Sequence, residues 1–257
     1  MIDGFTRPDS KASDNLIISI SGIGKAGKTS VALTAPPPIA YCDFNIRDRG
    51  VIEKFPQVEI YKRKYVSSDT NTDNQDDCIT ISDQFKDDYY ELLKTDGIKS
   101  IVIDTMTDFI KTKKIADLGT LAIPPTAAFK WKDTYSYFDD LIRAAFNSDK
   151  NLIFIHEVRP EFADNKPTGD FYRDSYNKME NRVEMELFLW TVVEKESLVS
   201  TSVEYRMQYV FDGRGKLKTG YMLNEFDGGM CLEGGLPQVW ADHFGGDPDD
   251  YNHTLEE

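Results

Sequence analysis

Cysteine, histidine and positive charge are all scarce in this 257-residue chain. Three scattered cysteines, Cys42, Cys78 and Cys231, supply neither a disulfide framework nor the paired spacing of a zinc site. They read as reduced core or surface thiols of a cytoplasmic protein. No apolar run is long enough to span a bilayer. The first residues, MIDGFTRPDSKASDN, lack the apolar stretch of a secretory signal. With 30 basic against 44 acidic residues, the net charge is −14. That balance argues against a general coat for nucleic acid, because phosphate attracts basic surfaces.

The charge is nevertheless segregated. Between Phe109 and Lys132 lie five lysines (Lys111, Lys113, Lys114, Lys130, Lys132) and one acid, Asp117. Between Trp240 and Glu257 lie six acids and no Lys or Arg. A local basic site for a polyanion therefore stays open. The 40% hydrophobic and 29% charged fractions are those of an ordinary globular protein.

Short apolar runs alternate with helical patterns along most of the chain. Residues 1–14 read as a flexible arm. Asn15 to Ser21, Ile39 to Cys42, Ser100 to Asp104 and Asn151 to His156 read as strands buried on both faces, with Val58 to Val66 a further candidate. Pro36-Pro37-Pro38 must end the helix before the second strand. Helices are expected from about Ser82 to Thr95, after Asp104 to Leu118, and from Ala128 to Phe146. Residues 158–178, rich in Pro, Gly, Asp and Asn, read as a long loop. After Met179 the strands lengthen, with a turn at Asp212-Gly213 and a return from Lys216 to Leu223. The pattern is α/β, a mostly parallel sheet flanked by helices with antiparallel hairpin strands towards the C-terminus. The division is an arm at 1–14, a core at 15–230 and an acidic tail at 231–257, disordered from Trp240.

Gly22-Ile23-Gly24-Lys25-Ala26-Gly27-Lys28-Thr29 matches G-x-x-x-x-G-K-[ST] in full, between an apolar strand and a helix. Backbone N–H groups freed by the glycines curl around phosphate oxygens, with the helix N-terminus adding its positive end. Lys28 reaches the β- and γ-phosphates and Thr29 completes a Mg²⁺ shell. Ser30 closes the nucleotide-binding set of Gly22, Gly24, Lys25, Ala26, Gly27, Lys28 and Thr29. Ile101-Val102-Ile103-Asp104 is the matching second element, a buried strand whose terminal carboxylate holds Mg²⁺. Thr105 follows it, so the Asp-Glu pair of AAA+ proteins is missing.

The order of phosphate loop, short strand ending in Asp43, IVIDTMTDF, long helix and LIFIHEVRP resembles the RecA-type recombinase core over roughly residues 15–230. It is similar to phage RecA-like ATPases that act in single-strand annealing or recombination. The resemblance implies a RecA-like P-loop NTPase fold, ATP with Mg²⁺, and assembly as a ring or filament. It also implies single-stranded DNA as partner, and beside it a single-strand DNA-binding protein. His156 and Glu157 take the γ-phosphate sensor positions, and residues 159–178 and the stretch from Leu118 to Lys130 take the DNA-loop positions. One departure concerns catalysis. The family's catalytic Glu lies two residues beyond the Asp ending the second strand, where this chain has Asn45. An amide orients water but cannot take its proton. Hydrolysis is thus expected to be slow, or to use Asp43, Asp48 or Glu157. The catalytic set is Lys28, Asp104, Asp43, Asn45, Glu157 and His156.

Several features carry two readings. His156 is a core residue or a sensor. The lysines from Lys111 to Lys132 are a solvated helix face or a phosphate-binding surface, with Phe129 and Trp131 as stacking candidates. Trp131 also fits the apolar stripe of its helix. Arg206, Arg214, Lys216 and Lys218 are candidates for reaching a neighbour's γ-phosphate. Lys25 lies too late in the loop for the ParA and MinD pattern. A switch or motor part acting on protein partners is the second function class. A small-molecule kinase is disfavoured, because no Arg-rich lid is evident.

Overall fold

The computed structural model describes residues 15–45, 50–66, 74–122, 129–163, 166–174, 179, 182–195, 201–212, 222–227 and 230–252. Its centre is a parallel sheet of β3 (Ile60–Lys64), β2 (Ile39–Asp43), β4 (Ser100–Asp104), β5 (Asn151–Ala163), β1 (Ile17–Gly22) and β7 (Met185–Lys195), in that spatial order. Antiparallel β8 (Thr201–Asp212), β9 (Met222–Asp227) and β10 (Met230–Glu233) extend it beyond β7. This is the mostly parallel α/β sheet with antiparallel strands towards the C-terminus that the sequence pattern leads one to expect.

Strand alternation divides the core in two. Ile18, Ile20, Val102, Ile153 and Ile155 face α1 (Lys28–Ala32) and α5 (Gly235–Phe244), together with Val31, Leu236 and Trp240. Ile17, Ile101, Ile103, Leu152 and Phe154 face α2 (Gln75–Leu92), α3 (Met106–Leu118) and α4 (Lys132–Phe146), together with Phe85, Phe109 and Phe138. The nearly continuous apolar runs of the central strands follow from both faces being covered.

Three expectations change. α2 begins at Gln75, well before Ser82, capped by the Asn74 side chain accepting from the Asp76 N–H. Its acid-rich first turn suits the positive helix end but hides the helix among polar residues. Residues 158–178 are no loop in their described part. β5 runs on to Ala163 and pairs antiparallel with β6 (Lys166–Arg173). Both arms are exposed, so the apolar alternation of a half-buried strand is absent.

The C-terminal stretch is folded, too. Gly234 and Gly235 (φ 79° and 56°) turn the chain into α5, which buries Leu236, Val239 and Trp240. A 3₁₀ turn at Pro248–Tyr251 follows. The return strand β9 starts at Met222. Arg214, Lys216 and Lys218 lie outside the described residues, as do the arm at 1–14 and Asp48.

Candidate functional site

The loop leaves β1 at Gly22, which packs so closely on β7 that a Cβ would lie 2.2 Å from the Leu189 carbonyl oxygen. The chain turns through Lys25 (φ 66°) and Gly27 (φ 82°), the left-handed region that glycine adopts at least cost. Lys28 opens α1, and its ammonium lies across the loop, donating to the carbonyls of Gly22 and Ile23 at 2.9 Å each.

Strand β5 stands between β1 and β4, and this order brings Thr29 to Asp104. The Thr29 hydroxyl donates to Asp104 Oδ2 at 2.7 Å, and the Tyr41 hydroxyl donates to the same oxygen at 2.6 Å. Burial raises the Asp104 pKa above the ordinary carboxylate value, opposed by these two hydrogen bonds. The peptide after Asp104 is cis. A hydroxyl and a carboxylate oxygen in contact form a hard donor pair that fits Mg²⁺, which keeps its remaining positions for water and phosphate oxygens. Sequence reasoning missed Tyr41, whose only trace was an aromatic in a buried strand.

A cleft of about 360 Å³ opens beside the loop. It is lined by residues 24–30, Asn45, Val51, Lys54, Asp104, Thr105, Ile155, Glu157, Tyr205 and Phe226. Ile155 and Glu157 share one face of β5, as strand alternation requires. The Glu157 backbone N–H is held by Thr107 Oγ1 at 2.9 Å in the first turn of α3, while its side chain belongs to an exposed residue. Lys54, Tyr205 and Phe226 carried no motif, so only the folded chain reveals them.

Asp43 and His156 sit differently. Asp43 is buried, accepts from the Asn45 N–H at 2.9 Å, and pairs with Lys62 at 3.3 Å. His156 is fully buried one residue before Glu157. Burial, then the charges of Arg173 and Lys28, hold its imidazole well below its usual pKa, so it is neutral at neutral pH. Beside it, Arg173 of β6 forms a buried ion pair with Glu186 of β7, fastening the base of the β5–β6 hairpin to the core.

The basic run on α3 is largely engaged within the chain. Lys111 pairs with Asp108 and Lys113 with Asp117, while Lys114 lies over the Trp131 ring at 4.7 Å. Lys130, Lys132 and Phe129 are exposed, Phe129 to 74%. Trp131 is neither core nor free, lying under Lys114. Arg206 of β8 pairs with Glu204.

No described helix is long and apolar enough to cross a membrane. No protein-family model matches the chain, and no curated protein matches it. Among solved structures, it is similar to a KaiC-like protein of the hyperthermophilic archaeon Pyrococcus horikoshii. That similarity covers 84% of this chain and 88% of the other, at 9% identity and a TM-score of 0.49.

Proposed function

We propose that this chain binds ATP with Mg²⁺ on the Gly22–Thr29 loop, hydrolyses it, and uses the cycle to engage single-stranded DNA in annealing or recombination as an oligomer. The observation that carries the nucleotide reading is the contact of Thr29 with Asp104 at 2.7 Å beside a complete phosphate loop. Thr29 and Asp104 would hold Mg²⁺, which would supply charge neutralisation to a bound triphosphate. Lys28 turns from the loop carbonyls to the phosphate oxygens.

Glu157 is the base we assign. The described cleft lining has two carboxylates, Asp104 and Glu157, and Asp104 is bound by Thr29 and Tyr41. Asp43 is held by Lys62 and the Asn45 N–H. A water oxygen attacks the γ-phosphorus, its proton passes to the Glu157 carboxylate, and the bond to the β–γ bridging oxygen breaks to release ADP and phosphate. Asn45, also lining the cleft, orients that water.

The DNA reading rests on the β5–β6 hairpin, which continues the Glu157 strand outward and exposes Phe162, Phe171 and Tyr172. Such rings stack on bases of either sugar type. A nucleotide-dependent switch for a protein partner is the second reading. It is favoured by the internal pairing of Lys111 and Lys113, which removes phosphate contacts the first would use.

Fluorescence anisotropy of a labelled oligonucleotide at low salt, with ATP analogue, ADP or no nucleotide, decides between them. Tighter binding with the analogue supports the DNA reading. Absence of binding in all three states, with nucleotide shown to be bound, supports the protein-partner switch. Lys28→Ala is expected to abolish ATP binding in a folded chain, and unchanged affinity would overturn the nucleotide reading itself.

A further inference from the structure

Two aromatic rings stand at the phosphate loop that neither phosphate nor metal binding uses. Tyr205 of β8 and Phe226 of β9 have centroids 4.3 Å apart and planes tilted by 34°. Both line the cleft that holds Lys28 and Thr29, and both are only half-buried. Phe226 lies directly over the loop, since a Cβ on Gly27 would meet its Cζ at 2.5 Å and its Cε1 at 2.7 Å.

The rings are held in place by the backbone around them. Asn224, two residues before Phe226, accepts the Gly235 N–H at 2.8 Å as α5 begins. The next N–H, that of Leu236, donates to Thr34 Oγ1 at 3.0 Å, just beyond α1. The wall carrying the rings is thus anchored to the segment that carries the loop, and ring and phosphate site keep a fixed spacing. A half-exposed aromatic pair on a rigid wall offers its faces to a flat π-system.

We propose that Tyr205 and Phe226 form the platform on which the nucleobase of a bound nucleoside triphosphate stacks, so that the base adds affinity separately from the phosphates. The inference rests on reading the Gly22–Thr29 loop as a nucleotide site. Stacking accepts any base, because every base has a π-face. The platform therefore selects for the presence of a base, and ATP and GTP compete on similar terms.

The test is calorimetric titration of the full chain with Mg²⁺ and either ATP or inorganic tripolyphosphate. In the unaltered protein ATP is expected to bind more tightly. Phe226→Ala and Tyr205→Leu are expected to weaken ATP binding by about 5- to 150-fold, the range that one base–aromatic stack supplies. Tripolyphosphate affinity is expected to stay unchanged. Tyr205→Phe keeps the ring and is expected to keep the affinity, which separates stacking from a hydroxyl contact or a folding defect. Equal affinity of the unaltered protein for ATP and tripolyphosphate would overturn the platform, as would parallel losses for both ligands in Tyr205→Leu. If the unaltered protein binds neither ligand, the loop reading fails first and the platform falls with it.

Discussion

The two halves of β5 belong to one continuous strand and have little else in common. From Asn151 to His156 every residue is buried, and the neighbours on both sides are parallel strands. From Glu157 to Ala163 the strand is largely exposed and pairs antiparallel with β6. The first half is held by packing on both faces. The second is held by one hairpin ladder and the buried ion pair of Arg173 with Glu186. On the function proposed above, nucleotide chemistry belongs where the first half ends, and partner contact belongs on the second. Substitutions in the two halves should therefore separate stability and chemistry from binding.

The largest expected effect lies at the junction. Glu157→Gln is expected to slow ATP hydrolysis by about 10²- to 10⁴-fold, the usual contribution of a general base. ATP affinity should be retained, as followed by phosphate release and by titration. A rate unaltered in Glu157→Gln would return the base to Asp43 or Asp48. Next comes Gly22→Ala, on the buried side. Its Cβ would meet backbone at 2.2 Å, so a loss of about 1–3 kcal/mol is expected in denaturant unfolding, in line with overpacking.

Asp104→Asn tests the cost of the buried charge. Its folded-state pKa is raised by burial, so the unfolded chain favours the ionised form more strongly than the folded one does. Stability is thus favoured while the group is protonated, and is lost as pH rises through the raised value. At neutral pH without nucleotide, Asp104→Asn is expected to raise the melting temperature, and at acid pH, where the carboxyl is protonated in both states, to leave it nearly unchanged. Mg²⁺-dependent hydrolysis should be lost in the same variant. A melting temperature that falls at neutral pH would show that the carboxylate is stabilised by its two hydrogen bonds more than burial costs it. The smallest effect on stability is expected from Phe162→Ala and Phe171→Ala on the exposed hairpin, within about 0.5 kcal/mol. These are the variants expected to weaken oligonucleotide binding, and unchanged anisotropy would remove the hairpin from the interface.

The same contrast explains what the sequence disclosed. β4 and the buried half of β5 were legible because burial on both faces leaves a short, nearly continuous apolar run. The Gly22–Thr29 loop was legible because Gly22 and Gly27 answer to backbone geometry. β6 was hidden because a strand exposed on both faces has no apolar period. α5 was hidden because the six acids from Asp242 to Glu257, five of them beyond its end, outweighed Leu236, Val239 and Trp240. Tyr205 and Phe226 reach the site only through the pairing of β8 with β9. Strand pairing between distant segments leaves no local mark in a chain.

The clamp of Thr107 on the Glu157 N–H has a mechanical consequence. From Glu157 to Ala163 the strand extends about 20 Å at its normal rise per residue. A rotation of about 5° at the clamped end would swing the far end by about 2 Å over that length. Thr107 lies three residues after Asp104, in the turn that opens α3. If the proposed nucleotide site moves this clamp on ATP binding, a reporter dye near Phe162 is expected to be displaced, and an unchanged signal would show the hairpin to be fixed.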